Sequence, residues 1–348
     1  MRVATYYNNN DIRIDEVPKP KIGPGELLLR IEASGICGTD VIEWYRRDKV
    51  PLVLGHEIAG EVVEVGKGLT RYKKGQRLSA SHHVPCGKCK LCLSGHETTC
   101  DMLRKTKFYP GGFAEFVRLP KINIELGGVY PLGPSVTFEQ GTFTEPLACV
   151  LRGQRLARMQ EGKSLLVLGA GISGILHIML AKYKGAGFIA ATDLVDYRLD
   201  FAKRLGADIT LNAAEQDIPG RFKGLNKGEG ADIVIVATGA KAAHLQALES
   251  VKRGGTVLFF AATAEGETIP LSINDVFWRN EVTLTSSYAA TPKEHMAALR
   301  LIASGKIAVE ELITHRFSLD DIQEGFRLVA QARDSMKVII KPQGLRKD

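Results

Sequence analysis

The chain lacks any apolar run of the ~18 residues that a membrane-spanning helix requires. Its N-terminal stretch MRVATYYNNNDIRID has no apolar core of the kind found in secretion signals. No internal repeat or aromatic-plus-basic recognition motif is present, and the basic residues behind the net charge of +7 are scattered, apart from a short C-terminal cluster, KPQGLRKD. These absences predict a cytoplasmic protein that binds neither a membrane nor a nucleic acid.

The 348 residues are enough for two domains, and the character of the sequence changes near residue 148. Residues 1–147 contain short β-branched runs broken by Gly and Pro, which predict a β-barrel-like domain with long loops. Residues 148–288 alternate apolar strands with helical stretches, including a helix AAHLQALESVKRG before a strand TVLFFAA. Residues 289–348 add two amphipathic helices and a last strand. The pattern predicts an α/β protein with a doubly wound parallel sheet in its second region.

Four cysteines lie close together in the stretch PCGKCKLCLSGHETTC. They follow the spacing C-x2-C-x2-C-x7-C and are Cys86, Cys89, Cys92 and Cys100. Four thiolates around Zn²⁺ form a closed tetrahedral site, so this cluster is predicted to order a loop rather than to catalyse. Disulfides are disfavoured in a reducing cytoplasm, whereas a four-cysteine iron–sulfur cluster is chemically compatible with the same ligands.

A second set of candidate metal ligands is spread along the motifs GICGTD, LGHEIAG and FTEPLACV. It consists of one thiolate, one imidazole and two carboxylates, namely Cys37, His56, Glu57 and Glu145. Such a mixed set suits a catalytic zinc with an exchangeable fourth position. In the same motifs, Thr39 would hold a hydroxyl near the metal, and Asp40 would hydrogen-bond the far nitrogen of His56.

The stretch SLLVLGAGISGILHIMLA carries the G-x-G-x-x-G pattern of a dinucleotide-binding turn, at Gly169, Gly171 and Gly174. An apolar strand precedes it and a helix follows, beginning at Ile172 and Ser173, whose N-terminus would hold the pyrophosphate. Asp193 ends the next strand and would bind the adenosine ribose, which favours NAD over NADP, although the nearby Arg198 can tolerate a phosphate. Thr238 is a further candidate cofactor contact.

Taken in order, these motifs resemble the zinc-dependent alcohol dehydrogenases of the medium-chain dehydrogenase/reductase superfamily over nearly the whole chain, and most of all their polyol and threonine dehydrogenase branch. The late motif ITHRFSLDDIQEGF adds to the resemblance. It implies a GroES-like catalytic domain, residues 1–147 with a zinc lobe at 86–100, completed by residues 289–348. It further implies an inserted Rossmann domain at 148–288, two zinc ions per subunit, and a homodimer or homotetramer with the strand EVTLTSSY at the subunit edge.

The resemblance also implies roles for individual residues. The implied catalytic-zinc ligands are Cys37, His56 and Glu145. Glu57 is either a direct ligand or one that exchanges with water or substrate. Lys337 falls where relatives have a basic residue near the pyrophosphate, and Cys149 is implied to pack beside the nicotinamide.

The implied reaction is zinc-assisted hydride transfer, in which zinc lowers the pKa of the substrate hydroxyl and the alkoxide passes hydride to the nicotinamide. Thr39 would pass the proton outward through the cofactor ribose. Many relatives complete this relay with a His five residues after the Cys, where this chain has Ile42. Glu43, His83 or water would substitute, and His83 also matches a His near the active site of threonine dehydrogenases.

The substrate is predicted only as a class: a secondary alcohol such as a polyol, a sugar derivative or a hydroxy amino acid. Animal sorbitol dehydrogenases carry an Arg-Tyr pair where this chain has Ala289 and Ala290, which argues against sorbitol bound in that way. Arg46 or Arg47 would face an anionic substrate, although a solvated basic loop is the favoured interpretation. The alternatives are an L-threonine 3-dehydrogenase, a zinc-free reductase of the same superfamily, and a non-catalytic zinc- and NAD-binding protein; the intact ligand set argues against the last two.

Overall fold

The structure is a computed structural model that describes residues 1–345. Residues 346–348, the end of the C-terminal basic cluster, lie outside the described residues. Two compact units divide the chain: residues 1–148 with the segment from Ala289 onward form unit 1, and Cys149–Tyr288 form unit 2. No helix within residues 1–345 is long and apolar enough to cross a membrane.

The N-terminal part of unit 1 is rich in short strands. Strands β1 to β8 are Arg2–Asn8, Asp11–Glu16, Leu27–Gly35, Leu52–Val53, Glu57–Val65, Arg77–Ala80, Phe116–Leu119 and Val129–Pro131. Helices α1 to α5 are Glu43–Arg46, Lys90–Leu93, Asp101–Lys105, Lys121–Glu125 and Phe138–Thr142. Strands β1, β2 and β4 form a small antiparallel sheet. The longest pair is β3 with β5, because both are nine-residue runs rich in buried apolar side chains.

Unit 2 alternates strands with helices. Strands β9 to β14 are Ser164–Leu168, Phe188–Asp193, Ile209–Asn212, Ala231–Val236, Val251–Phe259 and Thr283–Ser286. Helices α6 to α11 are Thr144–Leu156, Ile172–Tyr183, Asp196–Arg204, Ile218–Leu225, Lys241–Ser250 and Ile273–Val276; α6 begins in unit 1. All six strands are parallel, in the order β11-β10-β9-β12-β13-β14. This order is that of a Rossmann sheet, so the predicted doubly wound arrangement is confirmed.

Two details of the predicted elements in unit 2 are wrong or missing. Helix α10 ends at Ser250, and the residues predicted as its last turn belong to β13, where Val251 pairs with Ala231. The sequence pattern also does not reveal β11 and α9. Helix α9 contains one proline and two glycines, which weaken a helical pattern, but Pro219 stands in the first turn, where proline is tolerated.

The C-terminal segment returns to unit 1 as α12 Pro292–Ala303, β15 Ile313–Ser318, α13 Ile322–Gln331 and β16 Lys337–Lys341. Its two strands extend the large sheet of unit 1, whose order is β15-β16-β3-β5-β6-β8, with β7 also paired to β3. Strand β16 runs antiparallel to β3, and Ile339 lies opposite Gly35. The segment therefore lies beside the strand from which the Cys37 loop begins.

His177 is a fully buried histidine on α7, in unit 2. Within the described residues neither ring nitrogen has a hydrogen-bond partner, and the ring stands edge-on to Phe260 at 4.6 Å between centroids. Burial, with a smaller contribution from the charge of Lys184, lowers the pKa of His177 to about 3. His177 therefore binds a proton near pH 6.5 in the unfolded chain, but only near pH 3 in the folded unit.

Replacing His177 with leucine should reduce the acid sensitivity of the protein. In the wild type, stability should fall as the pH drops from 6.5 toward 3, because the unfolded state then binds a proton that the folded state does not. Relative to the wild type, His177→Leu should gain about 2 kcal/mol of unfolding free energy on going from pH 7.5 to pH 5. Denaturant unfolding of both proteins at the two pH values measures this. A difference that does not change with pH would contradict the assignment.

Candidate active site

Three metal-ligating side chains meet where β3 ends and β5 begins. Cys37 lies two residues beyond β3, His56 directly precedes β5, and Glu57 is the first residue of β5. Because the two strands pair antiparallel, with Gly35 opposite Glu57, the end of one lies beside the start of the other. One ligand atom from each of Cys37, His56 and Glu57 lies within 4.8 Å of the other two. These separations suit a single metal ion.

Asp40 contacts two of these groups. The carboxylate is fully buried; its Oδ2 accepts a hydrogen bond from the Cys37 amide at 3.0 Å, and its Oδ1 lies 3.4 Å from His56 Nδ1. With Nδ1 facing Asp40, the other ring nitrogen of His56 is the one available to a metal. The structure thus places Asp40 beside His56, as the sequence analysis expects.

The electrostatics of this pair favour an anionic Asp40. Burial raises the pKa of Asp40, but the charges of His56 and Arg46 outweigh burial and hold it below its ordinary value. Burial likewise lowers the pKa of His56, and the charges of Asp40 and Cys37 overcome it and hold that pKa well above its ordinary value. An ionised carboxylate therefore orients the imidazole.

Thr39 lies against the sulfur of Cys37. Its hydroxyl is 3.3 Å and its amide nitrogen 3.4 Å from Cys37 Sγ, and the residue is exposed. The thiolate is the form of cysteine that binds a metal. The Thr39 hydroxyl therefore lies beside a predicted metal ligand, as its motif predicts.

Glu57 is held by a partner from the C-terminal segment. Lys337 is fully buried, and its amine contacts the Glu57 carboxylate and donates to the Ile36 carbonyl at 3.2 Å. A Cβ at Gly35 would overlap the Glu57 carboxylate and the end of the Lys337 side chain, so a larger residue there would displace this pair. The Lys337 amine contacts the metal-site carboxylate because β16 lies beside β3. Its predicted place near the cofactor pyrophosphate stays a prediction.

Glu145 stands apart from this group. It lies in the first turn of α6, and within the described residues the set of ligand atoms within 4.8 Å contains Cys37, His56 and Glu57 without it. Its role as a zinc ligand therefore stays a prediction.

The four clustered cysteines converge on one point. The sulfur-to-sulfur distances are 3.5 Å for Cys89–Cys92, 3.8 Å for Cys89–Cys100 and 3.9 Å for Cys86–Cys92. A tetrahedron with Zn–S bonds of ~2.3 Å has edges of roughly 3.8 Å. No disulfide is formed by any cysteine of the chain, all of which lie in the described part. The cluster fits a closed structural zinc site.

The glycine-rich turn of unit 2 has the backbone that the pattern requires. Gly169 has φ +96°, in the left-handed region that favours glycine. Gly171 is the N-cap of α7, whose first residues are Ile172 and Ser173. A Cβ at Gly174 would lie 1.9 Å from the Gly169 carbonyl oxygen, so this position admits only glycine. The binding of a pyrophosphate at the N-terminus of α7 stays a prediction.

Asp193 closes the same turn from the end of β10. Its Oδ2 accepts a hydrogen bond from the Ala170 amide at 2.8 Å, and its Oδ1 accepts one from Leu194 at 2.8 Å. Arg198 Nη1 lies 4.0 Å from Asp193 Oδ2. Thr238 packs on the other side, with its Cβ 2.9 Å from where a Cβ at Gly169 would be. The predicted cofactor residues of unit 2 therefore gather around one turn.

The family of this chain follows from the similarity of its sequence to known proteins. Residues 23–126 match the alcohol dehydrogenase GroES-like domain, and residues 173–304 match the zinc-binding dehydrogenase family. Over 334 residues the chain is 30% identical to an L-threonine 3-dehydrogenase of Rhizobium etli, with 94% of each chain covered. The chain belongs to the zinc-binding alcohol dehydrogenase family.

Two further relatives of this dehydrogenase agree. It is 30% identical over 355 residues to a sorbitol dehydrogenase of Bacillus subtilis, with 98% of this chain and 97% of the other covered. A protein of Sinorhizobium meliloti 1021, described as a zinc-binding dehydrogenase and solved with bound NADP, is 28% identical, with a TM-score of 0.87 and coverage of 98% and 99%. The GroES-like domain joined to a Rossmann domain is thereby confirmed.

The metal site of this zinc-binding dehydrogenase has a neighbour that the sequence analysis missed. The His82 ring lies 4.9 Å from the His56 ring and 3.7 Å from the His83 ring, measured between centroids. Burial lowers the pKa of His82 well below its ordinary value, so the ring is neutral beside the metal site. The doublet of histidines just before the cysteine lobe was the available signal, and the sequence analysis used only the second of them.

The structure gives contacts for the residues named at the proton relay and at the Arg-Tyr position. Glu43 accepts a hydrogen bond from the Asn9 amide at 3.0 Å, in the turn after β1, and its role in the relay stays a prediction. Ala290 is buried, and Ala289 packs against the cysteine lobe. His83 Nδ1 lies 3.1 Å from the Thr106 carbonyl, and its role in the relay stays a prediction.

Proposed function

We propose that this protein is a zinc-dependent dehydrogenase that oxidises a secondary alcohol carrying a further polar group, such as a polyol, a sugar derivative or a hydroxy amino acid. One observation carries the proposal: the ligand atoms of Cys37, His56 and Glu57 lie within 4.8 Å of one another. A relative of this family that had become a binding protein would have no need to keep this set.

A zinc ion at this site would supply the Lewis acidity that lowers the pKa of a bound hydroxyl. We propose that Cys37 and His56 hold the ion and that Glu145 completes the protein ligands. Glu57 is proposed to exchange with substrate or water, since Lys337 already offers it a buried cationic partner when it is off the metal. An unpaired buried charge is strongly unfavourable. Because Lys337 pairs with the carboxylate when it leaves the metal, the free-energy cost of the exchange is lowered.

Two other side chains prepare the site. Asp40 fixes the orientation of the His56 ring, so that one nitrogen faces the metal position. The exposed hydroxyl of Thr39, beside Cys37 Sγ, is proposed to take the proton of the substrate outward. Neutral His82 and the neighbouring His83 are proposed to meet the second polar group of the substrate.

We propose NAD as the preferred hydride acceptor. Asp193 ends β10 at the edge of the glycine-rich turn, where its carboxylate would repel a 2′-phosphate. The positive charge of Arg198 would instead attract a 2′-phosphate, but Arg198 lies 4.0 Å from Asp193 and is largely buried. The relative from Sinorhizobium meliloti was solved with NADP, which makes a direct comparison of the two cofactors part of the test.

L-threonine is the second candidate substrate. The observation in its favour is His83, which lies beside His82 at the metal site and matches a His of threonine dehydrogenases.

The cytoplasm is the proposed location, since the cysteine lobe requires reduced thiols. We also propose that subunits pair along β14, the outermost strand of the unit 2 sheet.

The deciding experiment follows NAD and NADP reduction by absorbance across polyols, sugar phosphates, L-threonine and simple secondary alcohols. Each assay is repeated after selective removal of the more labile zinc and again after zinc is restored. We expect activity on one class of substrate, faster with NAD, that is lost and regained with the metal. Activity that persists without the labile zinc would contradict the proposal, and silence across the panel would favour the non-catalytic alternative.

A further inference from the structure

Arg46 lies against the loop that carries Cys37. Its Nη2 donates to the Thr39 carbonyl at 3.1 Å and lies 3.6 Å from Asp40 Oδ1. The side chain is only 13% exposed, and its guanidinium stacks on the Tyr45 ring at 4.7 Å. The group is therefore engaged with the protein rather than presented to solvent.

Arg46 and His56 share one oxygen of a buried carboxylate. Asp40 Oδ1 lies 3.4 Å from His56 Nδ1 and 3.6 Å from Arg46 Nη2, and the carboxylate has no exposed surface. A buried carboxylate must be compensated by partners of opposite charge, and removing one partner strongly disfavours the arrangement. Arg46 therefore helps to hold Asp40 where it can orient His56.

The helix that carries Arg46, α1, is itself anchored to the turn after β1. In the turn after β1, the Asn9 amide donates to Glu43 at 3.0 Å, and Asn9 Nδ2 donates to the Val41 carbonyl at 2.9 Å. The Tyr6 hydroxyl in turn donates to Asn9 Oδ1 at 2.9 Å. Helix α1 is too short to hold its position alone, and these contacts fix it relative to β1. The guanidinium thus has a rigid support on one side and the metal loop on the other.

We infer that Arg46 is a positioning residue for the catalytic metal site: it holds the Cys37 loop through the Thr39 carbonyl and the His56 ring through Asp40. This inference rests on the proposed function, since it concerns the same site. It replaces the expectation that Arg46 faces an anionic substrate. Removing a direct partner of a metal ligand reduces metal affinity by about 10–100-fold. Arg46 acts on the ligands through Thr39 and Asp40, so we expect an effect at the lower end of this range.

The test compares Arg46→Met, Arg46→Lys and the matched control Arg47→Met, whose side chain is 58% exposed in the wild type. Zinc content is measured first, then the rate at which zinc passes to a colorimetric chelator, and finally the visible spectrum after cobalt replaces the labile zinc. Arg46→Met should release the labile zinc about 10-fold faster and show an altered cobalt spectrum. Arg46→Lys should fall between it and the wild type, because lysine keeps the positive charge but lacks the planar guanidinium that stacks on the Tyr45 ring. Arg47→Met should match the wild type.

The outcomes separate the inference from the proposed function. A wild-type chain with a single zinc, unchanged by Cys37→Ser, would overturn the proposed function before the variants are compared. With two zincs in the wild type, an unchanged release rate and spectrum in Arg46→Met would overturn only the role of Arg46. A higher KM for anionic substrates with unchanged zinc release would do the same. If Arg46→Met fails to keep its structural zinc or its cooperative unfolding, the Arg46→Lys release rate decides: faster than the wild type supports the inference, and equal overturns it.

Discussion

Cys37→Ser should lose at least about 10³-fold in turnover while retaining the dinucleotide site and the structural zinc. A serine hydroxyl is not ionised at neutral pH and is a far weaker zinc ligand than a thiolate. The metal-assisted part of such a reaction is worth several kcal/mol, and each 1.4 kcal/mol is about tenfold in rate. The measurements are steady-state oxidation of the best alcohol, zinc per chain, and NAD binding by fluorescence.

The matched control is Cys149→Ser, because within the described residues Cys149 belongs to neither metal-ligating group. It should keep two zincs, so a loss of zinc in Cys37→Ser alone would assign that loss to the catalytic site. The glycine-rich turn and Asp193 lie in unit 2 and Cys37 lies in unit 1, so NAD binding should survive in Cys37→Ser. A Cys37→Ser protein that still turned over at the wild-type rate would remove Cys37 from the metal site.

Much of unit 2 was predictable because its signals are local. Strand β9 is an uninterrupted buried apolar run, and the glycine pattern follows it directly, so strand, turn and helix are visible in one short stretch. The misses occur where local signals conflict. Helix α9 carries helix-weakening residues, and β13 begins at Val251 because pairing with Ala231 outweighs the helical continuation.

The metal site was predictable only in part, for a different reason. The identity of Cys37 and His56 as ligands follows from their chemistry and motifs. The contact between Glu57 and Lys337 joins residues 280 apart in the chain, and no local pattern encodes it. It results from β16 lying beside β3, which is a property of the folded sheet. Arg46 is a similar case, since the same charge on an exposed helix is usually solvated.

Cys100→Ser should lose the structural zinc and keep the catalytic zinc, which is the reverse of the result expected for Cys37→Ser. Cys100 is buried with Leu103 against Cys92, and these side chains form a small cluster in the cysteine lobe. Loss of one thiolate should release the structural zinc, whose binding contributes on the order of 10–16 kcal/mol in small zinc-folded peptides. The lobe would then unfold locally and expose Leu103, and the thermal midpoint should drop by roughly 10 °C or more, since 1 kcal/mol shifts it by about 2–4 °C in a unit of this size.

Calorimetry and zinc content together distinguish this result from damage at the catalytic metal. The variant should carry one zinc, still released at the labile rate, and should retain activity at temperatures below its lowered midpoint, because Cys37 and His56 are held by β3 and β5 rather than by the lobe. Ser94→Ala, an exposed change in the same lobe that removes only a contact to the Leu91 carbonyl, is the matched control and should keep both zincs. A Cys100→Ser protein with two zincs and an unchanged midpoint would show that the fourth thiolate is dispensable, and the cluster would then be no closed four-sulfur site.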